Sequence, residues 1–187
     1  MAREKFPYRT DRAIEFVAPA DEVTQTPLNF SDSGATCSFK VYDPNKDESL
    51  SGAEATGQTV LSTVNAGIFV VGDVVEVNLD DETTHASSVT AVDPAAGTIT
   101  IADALTGDAA SGNRVRVLFG SLVSMSEYGT AVYGKRDYGF RGTFAYNHPA
   151  QILDQEINVE VTFNGGAGLV RTDIICAVIK PAKECDC

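Results

Sequence analysis

The densest run of oxygen ligands in the chain is Asp43-Pro44-Asn45-Lys46-Asp47-Glu48-Ser49-Leu50-Ser51-Gly52-Ala53-Glu54. Asp43, Asn45, Asp47, Ser51 and Glu54 fall at positions 1, 3, 5, 9 and 12 of the calcium-loop pattern, where hard oxygen donors surround the ion. The sixth position, which needs Gly for a sharp turn, holds Glu48, and the flanks read as strand and Gly-rich linker where the pattern has helices. An acidic, solvated linker that binds no metal is therefore expected over 43–54.

The other reactive side chains are dispersed. His85 and His148 sit in separate polar, turn-like contexts with no neighbour that would make a metal pair or a nucleophile and base, so both are expected at the surface or in loops. Asp80, Asp81 and Glu82 fall together on a hairpin tip, and paired acid-base chemistry needs a cleft with two different environments. Gly165, Gly166 and Gly168 lead into another strand rather than a helix, which excludes a dinucleotide fingerprint and leaves a hairpin turn. No catalytic residue, cofactor or metal ligand is expected.

Two groups point instead to assembly. Tyr128, Tyr133, Tyr138, Phe140, Phe144 and Tyr146, interleaved with Lys135, Arg136 and Arg141, could stack on single-stranded nucleic acid or meet an acidic protein surface. The net charge of −12 opposes phosphate binding, so nucleic acid is not expected as a partner. Cys37, Cys176, Cys185 and Cys187 have neither a CxxC pair nor zinc spacing. Cys176 reads as a buried strand thiol. Cys185 and Cys187 are too close in sequence to favour bonding each other, so disulfides would run to Cys37 or to another subunit, and only under oxidising conditions.

The elements that must carry these residues are strands. Among 187 residues, 43% are hydrophobic and 21% charged, enough for one sizeable core or two small ones. Runs rich in Val, Ile, Thr and aromatics predict strands over 36–42, 68–79, 87–92, 98–102, 114–119, 139–146, 156–163 and 169–179. Helical periodicity is almost absent, no apolar run approaches the roughly 18 residues of a spanning helix, and Arg3-Glu4-Lys5 does not resemble a signal peptide, so no membrane or secretory route is expected.

Charge divides the chain. Residues 1–46 hold six basic and seven acidic side chains, 47–113 hold none and eleven, and 114–187 hold eight of each. The middle stretch is thus expected to be a separate acidic module. Within it, Gly72-Asp73 opens an alternating strand that ends at a polar tip, 80–85. The turn Asp93-Pro94-Ala95-Ala96-Gly97 joins two β-runs, and Arg114-Val115-Arg116-Val117 can close the sheet on the first strand. These features resemble the SH3-like small β-barrels over about 50 residues. The fold expected is all-β: an inserted small acidic SH3-like barrel at 57–118, within a β-sandwich or barrel-like host built discontinuously from 1–56 and 119–187.

An all-β chain with an acidic small-barrel insertion, Gly/Ala/Thr-rich strands and a short arm, in which Arg3, Lys5 and Arg9 surround Phe6-Pro7-Tyr8, resembles the virion structural proteins of tailed bacteriophages. The resemblance implies a non-enzymatic subunit of a symmetric homo-oligomer that contacts other virion proteins and assembles in the host cytoplasm. A neck, collar or head-tail connection role comes first and capsid decoration second. Subunit contacts are then expected at Arg3, Phe6, Tyr8, Tyr138, Phe140 and Arg141. Two rival classes lack their signatures: a carbohydrate-binding or adhesin-like module would expose Trp or Tyr, whereas there is no Trp and the Tyr cluster is interleaved with expected core residues, and a small-barrel enzyme would need a convergent acid, base or nucleophile.

Overall fold

The computed structural model describes residues 4–7, 12–17, 36–128, 139–145, 148–150, 154–164 and 170–180. The protein is all-β. In chain order its strands are β1 (Glu4–Pro7), β2 (Arg12–Val17), β3 (Thr36–Ser49), β4 (Val60–Ser62), β5 (Val74–Asn78), β6 (Thr84–Asp93), β7 (Thr98–Ile101), β8 (Arg114–Leu118), β9 (Val123–Ser124), β10 (Ser126–Tyr128), β11 (Gly139–Phe144), β12 (Glu156–Asn164) and β13 (Val170–Lys180). The chain divides into an inserted unit, 42–119, and a host unit made of 1–41 and 120–187. The sequence boundary at 56/57 and the structural one at 41/42 differ by the stretch 42–56, which pairs inside the insert.

In the insert the strand order is β3-β8-β5-β6-β7-β4. The β6-β7 hairpin forms where the turn chemistry requires it: the Asp93 carboxylate accepts from the amides of Ala95 and Ala96, and Gly97 adopts φ 71°. Arg114–Leu118 does close on the first module strand, with Val75 opposite Val117 and Val77 opposite Val115. Alternate residues of these strands fill one core with Leu61, Phe69, Ile99, Ile101 and Leu105.

Three expectations for this unit are corrected. The ladder is not closed into a barrel. Its two ends meet at the bridge Leu50–Thr63, flanked by bonds from Ser51 N to Ser62 O and from Val64 N to Ser49 O, before turns on both sides stop the pairing. The supposed linker 43–49 is the second half of β3. Register shifts between Tyr42 and Asp47 bulge out Asp43-Pro44-Asn45-Lys46, a place where proline's missing N–H does no harm. The apolar run Ile68–Val71 is not a strand either, because Asn65 caps a 3₁₀ turn over Ala66–Ile68 and the Asp73 carboxylate accepts from Val70 N to form a second turn through Gly72, φ 97°.

In the host the strand order is β1-β13-β12-β3, with β9 also on β3, beside a separate three-stranded sheet, β10-β11-β2. In β12, Ile157, Val159, Val161 and Phe163 are buried and alternate with more exposed polar residues. From the smaller sheet, β11 turns Phe140, Gly142 and Phe144 inward, and the Phe140 ring lies 5.9 Å from that of Phe163. The two host sheets therefore pack face to face as a sandwich. Gly142 is required by that packing: a Cβ there would sit 2.9 Å from Met125 Cγ and 3.0 Å from Phe39 Cε1.

Candidate functional site

The most deeply buried charges lie on the insert. Glu76 and Arg116 stand opposite each other in the β5-β8 register, with Tyr42 on the adjoining strand β3. Glu76 is 1% exposed. Its Oε1 accepts from the Tyr42 hydroxyl at 2.6 Å and from Arg116 Nη2 at 3.2 Å, and its Oε2 accepts from Thr84 Oγ1 at 3.2 Å. The Arg116 guanidinium also lies over the Tyr42 ring, 3.9 Å from the centroid. Both charges are thus compensated in place, which makes the cluster a tie across four strands, β3, β8, β5 and β6, rather than a reactive pair.

A second polar group pins a loop. His85 and Ser87 share the buried face of β6, beneath residues 102–106. Asp103 N donates to Ser87 Oγ at 2.8 Å, and Ser87 Oγ donates back to the Asp103 carboxylate at 3.1 Å. His85 Nε2 lies 3.3 Å from Asp103 O, and Nδ1 lies 3.4 Å from Thr106 Oγ1. A carbonyl can only accept, so Nε2 carries the proton and Nδ1 accepts from the threonine. Ser, His and Asp are close in space, but the serine bonds the carboxylate and not the imidazole, so no nucleophile-base pair is formed by Ser87. The expectation of a surface His85 is corrected: it is 7% exposed, because the loop folds over it.

In the host, Thr36, Cys37, Ser38, Leu122, Ser124, Met125 and Phe140 line a cleft of about 460 Å³. The Cys37 thiol is buried and donates to Met125 Sδ at 3.5 Å. No carboxylate, imidazole or cation is among these lining residues, so they offer no acid-base pair for catalysis. His148 stands elsewhere in the host, with its ring 4.8 Å from that of Phe144. Its Nδ1 accepts from Ala150 N, its Nε2 is buried with no partner among the described residues, and burial holds its pKa below the usual histidine value.

The oxygens of the calcium pattern are used locally. Asp43 accepts from Asn45 N, Asp47 pairs with Arg114, and Glu54 accepts from Ser62 N at 2.7 Å. Among the described residues no group of three or more His, Cys, Asp or Glu is placed to hold a metal. At the tip, Asp81 is held below the usual carboxylate range by bonds from the Thr83 hydroxyl and amide, and Asp108 similarly by the amide and hydroxyl of Thr56. Comparison with protein-family profiles, with characterised proteins and with solved structures finds no match.

Of the residues expected at subunit contacts, Arg3, Tyr8 and Tyr138 lie outside the described residues, as do Cys185 and Cys187. Phe6 sits in β1, opposite Ile179 of β13. Arg141 is exposed on the outer face of β11 and pairs with Glu15 across the strand at 2.7 Å. Phe140 is a core ring, 2% exposed, so it offers no contact surface in the isolated chain. Sequence reasoning passed over Tyr42, Glu76 and Arg116. The available signal was a single opposite charge at the centre of each of two apolar strands expected to pair, Val75-Glu76-Val77 and Val115-Arg116-Val117.

Proposed function

We propose that the protein is a non-enzymatic structural subunit of a symmetric particle, with a phage neck, collar or head-tail connection as its place and assembly in the host cytoplasm as its route. The observation that carries this reading is how charge is used in the two units. The insert, 42–119, has twelve carboxylates and three cations, and Lys46, Arg114 and Arg116 are each engaged by a carboxylate, Asp73, Asp47 and Glu76. Nine carboxylates remain without a cation of the insert to balance them. Burying such groups against a neighbour costs several kcal/mol each, whereas facing water costs little and discourages stray association. The host holds eleven cations against fourteen acids and can pack against copies of itself.

Capsid decoration is the second reading. It is favoured by Val64, Val70 and Val71, each more than half exposed on the insert, which would then dock on the particle surface. Light scattering with negative-stain microscopy of the purified chain tests the first: closed rings are expected, and a monomer at all accessible concentrations would overturn it. Val70→Ser with Val71→Ser separates the two, since it should leave rings intact but abolish decoration-type docking.

A further inference from the structure

Two sulfur atoms meet beside the host cleft. Cys37, at the start of β3, and Met125, between β9 and β10, are brought together by the pairing of Ser38 with Ser124 and by the Met125 N–H, which donates to Cys37 O at 2.8 Å. Gly142 makes room for the thioether, since a Cβ there would sit 2.9 Å from Met125 Cγ. Cys37 Sγ and Met125 Sδ then lie 3.5 Å apart. Both residues are buried, and both line the cleft of about 460 Å³, which offers a small ion a way in.

Thiolate and thioether are soft donors, and among common biological cations such a pair suits copper(I). Charge points the same way. A thiol that takes up copper(I) forms a sulfur–copper bond and releases its proton to water, so thiolate and cation cancel and the group beside the cleft is neutral. A divalent ion on the same pair would leave a net positive charge beside Leu122, Met125 and Phe140, where an uncompensated charge is costly. Zinc would also call for further His, Cys or carboxylate ligands, and among the described residues no group of three or more is placed to supply them. The spacing fits as it stands: metal–sulfur bonds of about 2.3 Å drawn from atoms 3.5 Å apart meet at roughly 100°, with the ion about 1.5 Å off the line between them. We propose that Cys37 and Met125 form a copper(I) site in the host sandwich. The site is independent of the assembly reading above, because all its donors come from one chain.

Copper(I) alone is the probe. In a background with Cys176, Cys185 and Cys187 changed to Ser, the folded chain is titrated without oxygen against a coloured copper(I) chelator. One copper(I) per chain is expected, with two sulfurs at about 2.3 Å in X-ray absorption. Cys37→Ser should abolish binding. Met125→Leu, which keeps the size of the side chain, should weaken it at least about tenfold, since the loss even of an outer-shell partner costs that much. Unchanged affinity in Met125→Leu, a single sulfur around the metal, or no binding by the folded background chain would overturn the site. The unsubstituted chain repeats the test without the serine changes: it should hold one more copper(I) than its Cys37→Ser variant, and equal numbers would overturn the proposal.

Discussion

Replacing Arg116 by Met should destabilise the insert by about 3 kcal/mol, at the lower end of the cost of unpairing a buried charge. The change takes the guanidinium away from the Glu76 carboxylate, 1% exposed, and leaves neutral donors such as Tyr42 Oη and Thr84 Oγ1 in a site built for a cation. Those two bonds keep the cost from the top of the range. The cation over the Tyr42 ring is lost as well. A loss of about 3 kcal/mol lowers the folding equilibrium constant roughly 150-fold. Replacing both charges, Glu76→Met with Arg116→Met, removes the orphaned carboxylate and should return stability to within about 1 kcal/mol of the parent. Urea unfolding of the four chains, followed by circular dichroism, closes the double-mutant cycle. An Arg116→Met loss under about 0.5 kcal/mol, or a double variant whose loss is the sum of the singles, would refute the reasoning.

Stability should also fall as pH drops below about 6.5, the ordinary histidine value, because the unfolded His148 takes a proton there while the buried ring, its pKa held lower, does so only at more acid pH. The slope has a ceiling of about 1.4 kcal/mol per pH unit for one proton, reduced because the side chain is only partly buried, and His148→Phe should flatten it in thermal melts across pH 5 to 8. Gly142→Ala should cost about 1–3 kcal/mol by driving a methyl into Phe39 and Met125, read as a lowered melting temperature. Reversing Asp80, Asp81 and Glu82 to Lys should leave the mass of the assembled particle unchanged, whereas loss of assembly would place subunit contacts on the acidic tip. Phe140→Ala should cost about 3–5 kcal/mol in denaturant unfolding, as a core ring does, whatever the oligomeric state.

Several elements were legible in the sequence because local chemistry and long-range pairing agreed. The Asp93–Gly97 turn needs only its own residues, and the apolar alternation of Val75, Val77, Val115 and Val117 suits only a shared core. The bulge at 43–46 was hidden because its Asp, Pro and Asn also spell a linker, and only the partner strand β8 shows that pairing resumes at Asp47. The three residues of β4 carry too little pattern to be read as a strand at all. His85 looked solvated because the loop that covers it is distant by about 20 positions, and such closure leaves no local signature. Phe140 looked available because it belongs to a stretch of aromatics interleaved with Lys135, Arg136 and Arg141, yet adjacent residues of a strand face opposite sides, and Phe140 faces inward where Arg141 faces out. Subunit contacts were expected from composition and layout alone, since nothing within one chain fixes what a second chain would touch.

The insert begins at Tyr42 and ends just after Leu118, and these two residues are opposite each other on antiparallel strands. Its entry and exit are therefore about 5 Å apart, the spacing of any hairpin's two arms. A unit with such ends is portable: it can be spliced between the arms of an unrelated hairpin without stretching either, and its removal leaves a gap that a two-residue turn can bridge. Lineages carrying this host could thus gain, lose or trade the acidic module by a single recombination event, changing the surface the chain presents while the remaining strands keep their partners.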